Sequence, residues 1–256
     1  MNILCIGDVI GTVGSEFLRR HLPSLKRLKA VDCVIVNGEN SADTNGITPQ
    51  SADYLLSVGA DCVTTGNHSF QRKEAVGLYE STSPVIRPAN YPPGVPGRGY
   101  EILDFGRVSV CVINLMGLAY MQEPLDCPFR TVDAILKETG CKINIVDFHA
   151  ESTAEKRCLA EHLRGRVSAV FGTHTHVMTA DEQIIGGTGF ITDVGMTGPI
   201  NSVIGCDIES ALHKMTTHMP TRLGYADGAC MLNAVLFSVD ERTGQTVSVE
   251  RIDIRD

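Results

Sequence analysis

The sequence contains no tryptophan, and aromatic residues occupy only 5% of its 256 positions. The core must therefore be built mainly from aliphatic side chains, for which a hydrophobic content of 43% is an ordinary supply. A basic excess is also missing, since the formal net charge is −8. This charge argues against broad non-specific binding of nucleic acid or anionic membranes. Among nucleic-acid functions, only a role in RNA-related regulation stays open.

Long apolar segments are absent too. No run reaches transmembrane length, and a strand-like run begins at Asn2 without a basic leader, so we expect a cytoplasmic protein. The nine cysteines are an odd number and include no C-x-x-C pair. We expect no disulfide framework, because four of them lie in apolar runs where reduced cysteine acts as a small hydrophobe: Cys5, Cys33, Cys62 and Cys111.

Strand-length apolar runs alternate with segments of helical periodicity, a pattern typical of an α/β protein. The chain shows no repeat and no linker, so we interpret residues 1–256 as a single domain. The pattern predicts helices at 15–29, 49–58, 73–80, 131–139, 152–164 and 207–217, hairpins at 100–115 and 228–254, and glycine-rich loops at 8–14 and 193–199.

Polar side chains gather where five of the predicted strands end. In α/β sheets, ligands bind beyond the carboxyl ends of the strands. Each residue alone has an ordinary interpretation as a turn, a cap or a surface residue. Together they predict a metal site. The residues are Asp8; Glu39 and Asn40; Asn67 and His68; His149; and His174 and His176.

The number of candidate ligands predicts two metal ions. His174 and His176 stand at i and i+2, so in extended backbone both imidazoles point the same way. The set exceeds the four ligands of one zinc site, and Glu39 could bridge two ions about 3.5–4 Å apart. Oxygen and imidazole ligands without a thiolate suit iron, manganese or zinc better than calcium. Of these three metals we expect iron or manganese first, with zinc as the alternative. Two such ions can supply a metal-activated hydroxide as nucleophile for in-line displacement at phosphorus.

The polar strand ends also form short motifs, Gly7-Asp8, Glu39-Asn40, Gly66-Asn67-His68, His149 and Gly172-x-His174-x-His176. In these motifs the chain resembles the calcineurin-like metallophosphoesterases. More narrowly it resembles the YmdB-like bacterial phosphodiesterases, on the segments 7–11, 37–40, 87–92 and 192–196. It departs from the broad superfamily at Asp8-Val9-Ile10, where the usual Asp-x-His lacks its histidine, and at Glu39, which replaces an aspartate.

The resemblance implies an αββα sandwich with two mixed sheets flanked by helices. It also implies hydrolysis of cyclic nucleotides or related small phosphodiesters, and assembly into homo-oligomers. By the same resemblance Asp8, Glu39, Asn40 and His176 would bind one ion, and Glu39, Asn67, His149 and His174 the other. His68 would be the general acid that protonates the leaving alkoxide.

Two other classes of function stay open. One is a phosphomonoesterase or nucleotidase of the same superfamily, and the other is a regulatory binding protein whose metal site is structural. The residues that contact substrate outside the metal cluster are unknown. Arg87, Arg130 and Arg222 are candidates for phosphate contacts, beside the ordinary interpretation of each as a solvated or structural arginine.

Overall fold

The computed structural model describes all 256 residues. Six helices surround two mixed sheets. The helices are α1 (Gly11–Leu28), α2 (Pro49–Val58), α3 (Ala75–Glu80), α4 (Pro128–Thr139), α5 (Thr153–His162) and α6 (Ile208–Thr217). The strands are β1 (Asn2–Ile6), β2 (Asp8–Val9), β3 (Cys33–Asn37), β4 (Cys62–Thr64), β5 (Tyr100–Asp104), β6 (Ser109–Met116), β7 (Ile143–His149), β8 (Ala169–Thr173), β9 (Gln183–Ile185), β10 (Thr188–Ile191), β11 (Met196–Pro199), β12 (Cys230–Val239) and β13 (Thr246–Arg255).

The two sheets pack face to face, and helices cover their outer sides. The first sheet has the order β2-β11-β12-β1-β3-β4, with β13 beside β12, and the second has the order β5-β6-β7-β8-β10-β9. Alternation along β1 shows the layering, because Ile3 and Cys5 pack in the core between the sheets, whereas Leu4 and Ile6 pack among residues of α1 and α2. The predicted sandwich of two mixed sheets flanked by helices is confirmed.

The outer face of the second sheet is covered by α4 and α5, which contribute Val132 and Leu159 to a third apolar cluster. All nine cysteines are free, as predicted. Cys5 and Cys62 lie in the core between the sheets, where burial raises the pKa of both thiols. None of the helices combines the length and the hydrophobicity needed to span a bilayer.

The two predicted glycine-rich loops are partly wrong, and one contact explains both errors. Helix α1 already begins at Gly11, and β11 occupies part of the predicted loop at 193–199. A Cβ at Gly14 would lie 2.2 Å from the Thr197 carbonyl oxygen, and one at Gly198 would lie 2.8 Å from the Ile10 Cβ. Gly14 therefore serves a close approach to the backbone of β11, and Gly198 makes room for the Ile10 side chain, both inside regular elements.

The strand directions bring the polar segments to one edge of the sandwich. β1, β3 and β4 run parallel in the first sheet, and β6, β7 and β8 run parallel in the second. Their carboxyl ends therefore lie together, and the predicted ligands follow those ends or form them. Both predicted hairpins are antiparallel pairs, β5 with β6 and β12 with β13, as expected.

Candidate metal centre

The structure brings all eight predicted site residues into one cluster at the carboxyl ends of the strands. The Nε2 atom of His149 lies 3.0 Å from Asn67 Oδ1 and 3.1 Å from His174 Nδ1. On the other side, Asn40 Nδ2 lies 3.3 Å from His176 Nε2, which is 3.6 Å from Asp8 Oδ1. The donors thus form two neighbouring groups, one around His149 and one around His176.

Glu39 stands between these two groups. Its Oε1 atom lies 3.3 Å from Asn40 Nδ2 and 3.3 Å from His149 Nε2, and the side chain is 1% exposed. Gly66 makes this packing feasible, because a Cβ there would lie 2.3 Å from Glu39 Oε2 and 2.2 Å from a ring carbon of His149. A single oxygen of Glu39, Oε1, therefore contacts side chains of both groups.

The ring orientation of His149 is set by hydrogen bonds behind it. The Thr173 hydroxyl donates its single proton to Asp147 Oδ1 at 2.7 Å, so its oxygen accepts from His149 Nδ1 at 2.9 Å. Thr64 and Asn37 also donate to Asp147, which is fully buried. The His149 Nε2 lone pair therefore faces the site, which is the arrangement of a histidine that binds metal.

His176 is oriented in the same way from the opposite side. Its Nδ1 donates to the Ile204 carbonyl oxygen at 2.8 Å, which turns Nε2 toward Asp8 and Asn40. His174 and His176 both have positive φ angles, 99° and 62°. Such backbone is uncommon for residues other than glycine and is found where a site requires it.

The electrostatics of the cluster favour bound cations. Asp8 is fully buried, and its Oδ1 atom has no hydrogen-bond donor. Burial raises the pKa of Asp8 but His176 lowers it more. Burial also raises the pKa of Glu39, yet His149 and His68 hold it well below its ordinary range. Burial lowers the pKa of His176, but Asp8 raises it overall to about 9. The buried carboxylates of Asp8 and Glu39 are thus stabilised by positive charge nearby. The oxygen and imidazole donors around them are suitable ligands for metal ions.

His68 lies at the edge of the cluster with its side chain 29% exposed. Its Nδ1 atom is 3.1 Å from Asn40 Oδ1 and 3.2 Å from Glu39 Oε1, and its backbone N–H donates to Glu39 Oε2 at 3.2 Å. Two oxygen acceptors therefore hold a proton on Nδ1. Nothing in the sequence could identify these partners, because Glu39 and Asn40 are far from His68 along the chain.

A buried ion pair supports the loop that carries His174 and His176. Lys156 Nζ lies 2.7 Å from Asp193 Oδ2, and both side chains are 1% exposed. The same Asp193 oxygen accepts from the Thr175 backbone N–H at 3.1 Å, and Asp193 Oδ1 accepts from the Gly195 N–H at 2.8 Å. The pair therefore connects α5 to the residue between the two histidines.

We expect Lys156→Met to lower the free energy of unfolding by about 3–5 kcal/mol, because it leaves the Asp193 carboxylate buried without a partner. Urea denaturation measures this loss. The double variant Lys156→Met/Asp193→Asn should recover part of it, since the second change removes the stranded charge.

The matched control is Lys29→Met. Lys29 pairs with Glu250 at 2.5 Å on the surface, where an ion pair contributes about 0–1 kcal/mol. A loss for Lys156→Met no larger than that for Lys29→Met would contradict the assignment of the buried pair.

The three candidate arginines have different environments. Arg87 is buried, and its guanidinium donates to the carbonyl oxygens of four residues, so it is engaged in holding the loop at 88–97. Arg130 lines a separate surface cavity. Arg222 lines the cleft over the candidate metal centre, a cavity of about 550 Å³. Its walls include Glu39, Asn40, His68, His174, His176, Lys214 and Tyr225.

The supporting residues Asp147, Thr173, Lys156 and Asp193 were missed by the sequence reasoning. Asp193 lies in the segment 192–196 that carried part of the family resemblance, which was the one available signal. Asp147 and Lys156 sit inside an apolar run and a predicted helix, and Thr173 is an unspecified position of the motif Gly172-x-His174-x-His176. An isolated polar residue in such a place gives no indication of its partner.

Comparison with known sequences identifies relatives along nearly the whole chain. A protein-family model described as YmdB-like protein matches residues 4–252. A 2′,3′-cyclic-nucleotide 2′-phosphodiesterase of Bacillus subtilis (strain 168) is 40% identical over 259 residues, which cover 100% of this chain and 98% of the relative.

Solved structures show the same fold. A hypothetical protein from Thermus thermophilus has a TM-score of 0.95 at 40% identity, with all of both chains covered. A novel phosphatase from Mycoplasma pneumoniae has a TM-score of 0.93 at 31% identity, covering 100% of this chain and 93% of that one. The NAD nucleotidase of Haemophilus influenzae has a TM-score of 0.60 at 13% identity, covering 99% of this chain and 55% of that one, which shows a shared fold alone.

Proposed function

The chain belongs to the YmdB-like protein family, and from this membership we propose that it is a metal-dependent phosphodiesterase acting on nucleoside 2′,3′-cyclic phosphates or related small diesters. The relative from Bacillus subtilis carries that activity in its name and is similar along the full chain. The observation that carries the proposal is the buried Glu39 oxygen 3.3 Å from members of both donor groups. A carboxylate in that position suits a bridge between two ions.

The proposed ligands follow the two groups. Asp8, Asn40 and His176 with Glu39 would hold one ion, and Asn67, His149 and His174 with Glu39 would hold the other. In support of the second group, the ligand atoms of Glu39, His149 and His174 all lie within 4.8 Å of one another. When bound, the ions would lower the pKa of a coordinated water and offset charge that develops on the phosphoryl oxygens.

His68 is positioned to protonate the leaving oxygen. Its Nδ1 faces Asn40 Oδ1 and Glu39 Oε1, so His68 in its imidazolium form would donate the proton on Nε2. His68 also lines the cleft, where the leaving group of a bound diester would lie. In a 2′,3′-cyclic phosphate that group is a ribose oxygen, a poor leaving group that benefits from a general acid.

Metal analysis tests the dinuclear version of the proposal. We expect protein purified without chelator to approach two transition ions per chain, iron or manganese first and zinc as the alternative, because seven ligand side chains serve two groups. Elemental analysis at full occupancy gives the number directly. Saturation at one ion per chain would rule out the two-metal site.

A panel of esters tests the reaction class. We expect turnover of bis-p-nitrophenyl phosphate and of cyclic nucleotides to exceed that of matched monoesters. Preferred hydrolysis of monoesters would instead favour a phosphatase activity, the activity named for the similar structure from Mycoplasma pneumoniae. Metal bound without turnover of any ester would favour a regulatory protein. The homo-oligomer implied by the resemblance stays a prediction, which light scattering of the purified protein checks.

A further inference from the structure

A second polar cavity adjoins the cleft over the candidate metal centre. It has a volume of about 560 Å³, and Arg72 and Arg222 are its basic side chains. We call it the arginine cavity. Thr44 and Arg222 line both spaces, so the two cavities meet at these residues. Most of the other walls carry hydroxyl groups, from Thr12, Ser15, Ser41, Thr48, Ser51 and Tyr54.

Neither arginine is neutralised by a carboxylate. Arg72 donates only to neutral oxygens, from its Nε to the Asn45 carbonyl at 3.1 Å and from a terminal nitrogen to the Thr44 hydroxyl. The exposed Arg222 guanidinium makes no ion pair and no hydrogen bond within the protein. The cavity therefore presents two positive charges whose natural partner is an anion.

Two carboxylates also line the cavity, so its formal charges balance, but neither carboxylate pairs with Arg72 or Arg222. Glu16 accepts from Arg19 at 2.9 Å and from the Tyr54 hydroxyl, and Asp43 accepts from the Thr12 hydroxyl at 2.7 Å.

Arg72 is also held in place. Its stem packs against Gly46, where an added Cβ would lie 3.0 Å from the Arg72 Cγ, and Gly46 has a φ of 80°. Asn45, whose carbonyl holds the guanidinium, itself lines the cleft. A preorganised donor in a cavity that adjoins the cleft is the arrangement expected of a substrate contact.

We propose that the arginine cavity binds a second phosphate of the substrate, beyond the one that is cleaved. This inference rests on the proposed function, and it names the substrate class as nucleoside 2′,3′-cyclic phosphates that carry a phosphate on O5′. Water forms the new bond to phosphorus, the bond from phosphorus to O2′ breaks, and O2′ takes a proton, leaving a 3′-monophosphate. The second phosphate is unchanged.

Such a substrate has two sources. One is a mononucleotide with a free 5′-phosphate, and the other is the 3′ end of an oligonucleotide, where O5′ belongs to a phosphodiester. The reaction class that supplies the cyclic phosphate is attack of a ribose 2′-hydroxyl on the adjacent phosphodiester of RNA. The hydroxyl groups of the cavity suit the polar sugar and phosphate oxygens of either source.

The test compares kcat/KM for three substrates in metal-replete enzyme: adenosine 2′,3′-cyclic phosphate, its 5′-phosphorylated form, and the dinucleotide ending in the same cyclic phosphate. We expect one or both phosphorylated forms to be favoured by about 10- to 100-fold, the effect of one or two charge-assisted hydrogen bonds. The form that gains more identifies the source.

Single substitutions then locate the effect. Arg222→Gln and Arg72→Gln should bring the ratio of phosphorylated to unphosphorylated substrate toward one, mainly through kcat/KM of the phosphorylated form. Arg130→Gln, which removes an equal charge from a separate cavity, should leave the ratio unchanged. Lys214→Gln removes a charge from the cleft but not from the arginine cavity, and should change the ratio by less than Arg222→Gln.

Two results would overturn the proposal. The first is an equal kcat/KM for all three substrates, which leaves the phosphodiesterase function intact. The second is an equal fall in the ratio for Lys214→Gln and Arg222→Gln, which would indicate general attraction of anions in place of a site. Failure to hydrolyse any of the three would instead count against the proposed function itself.

Discussion

Glu39→Gln should remove more activity than any other single substitution among the proposed ligands. The change keeps the size of the side chain but removes a charge that, by the proposal, serves both ions. Changes to residues that merely orient a ligand typically cost about 10- to 100-fold in metal affinity or activity, so loss of a shared ligand should exceed about 100-fold. We expect bound metal to fall with turnover.

The comparison is with Asp8→Asn and His149→Ala, each of which alters one donor group. Metal content and turnover of bis-p-nitrophenyl phosphate are measured for all three variants at matched protein concentration. Glu39→Asp, which keeps the charge on a shorter side chain, separates loss of charge from loss of reach. If Glu39→Gln keeps two ions and most of its turnover, Glu39 is not the bridge.

Stability of the fold must be followed in the same variants. Glu39 Oε2 also accepts from the backbone N–H of His68 at 3.2 Å, so the substitution could disturb the segment after β4 as well as the metals. Thermal unfolding with and without added metal distinguishes the two effects. One outcome is a variant that unfolds at the wild-type temperature without metal and yet shows a smaller rise in unfolding temperature when metal is added. Such a variant has lost affinity for metal without losing stability of the fold.

The second large effect is expected for His68→Ala, and it should depend on the substrate. General acid catalysis typically contributes about 10²–10⁴-fold and matters most for a poor leaving group. A ribose alkoxide requires the proton, whereas p-nitrophenolate scarcely does. We therefore expect a far greater loss on a cyclic nucleotide than on bis-p-nitrophenyl phosphate.

The measurement is the ratio of the two rate losses in metal-replete protein, with metal content determined in parallel. His162→Ala provides a matched control, because its ring pairs only at the surface, with Asp133 at 3.0 Å and beside Arg166. Equal losses on the two substrates would mean that His68 positions the phosphate or a metal. Loss of bound metal in His68→Ala would indicate that its contacts with Asn40 and Glu39 support the ligands.

Much of the fold could be predicted because its signals are local. Helix α2 begins at Pro49 as expected, since the Thr48 side chain accepts from the Ser51 N–H at 3.2 Å. The two hairpins follow from apolar runs on either side of short turns. The glycines of α1 and β11 were misinterpreted, because a glycine required by a close contact looks the same in sequence as one required by a turn.

The identity of the proposed ligands was also accessible from sequence. Strands of a parallel sheet end at one edge, so polar residues just after several such strands can be expected to converge. The structure brings Asp8, Glu39, Asn67, His149 and His174 together, although they are spread over more than half of the chain.

The environment of those ligands was decided only by tertiary structure. Lys156 and Asp193 are 37 residues apart, Asp147 and Thr173 are 26 apart, and no local pattern links either pair. The same holds for the arginines, since Arg87 is engaged by carbonyl groups and Arg222 faces the cleft. Secondary structure and the direction of a strand end follow from neighbouring residues. The burial of a side chain, the tautomer of a histidine and the charge of a cavity all depend on which distant side chains pack nearby. Only the folded chain brings those side chains together.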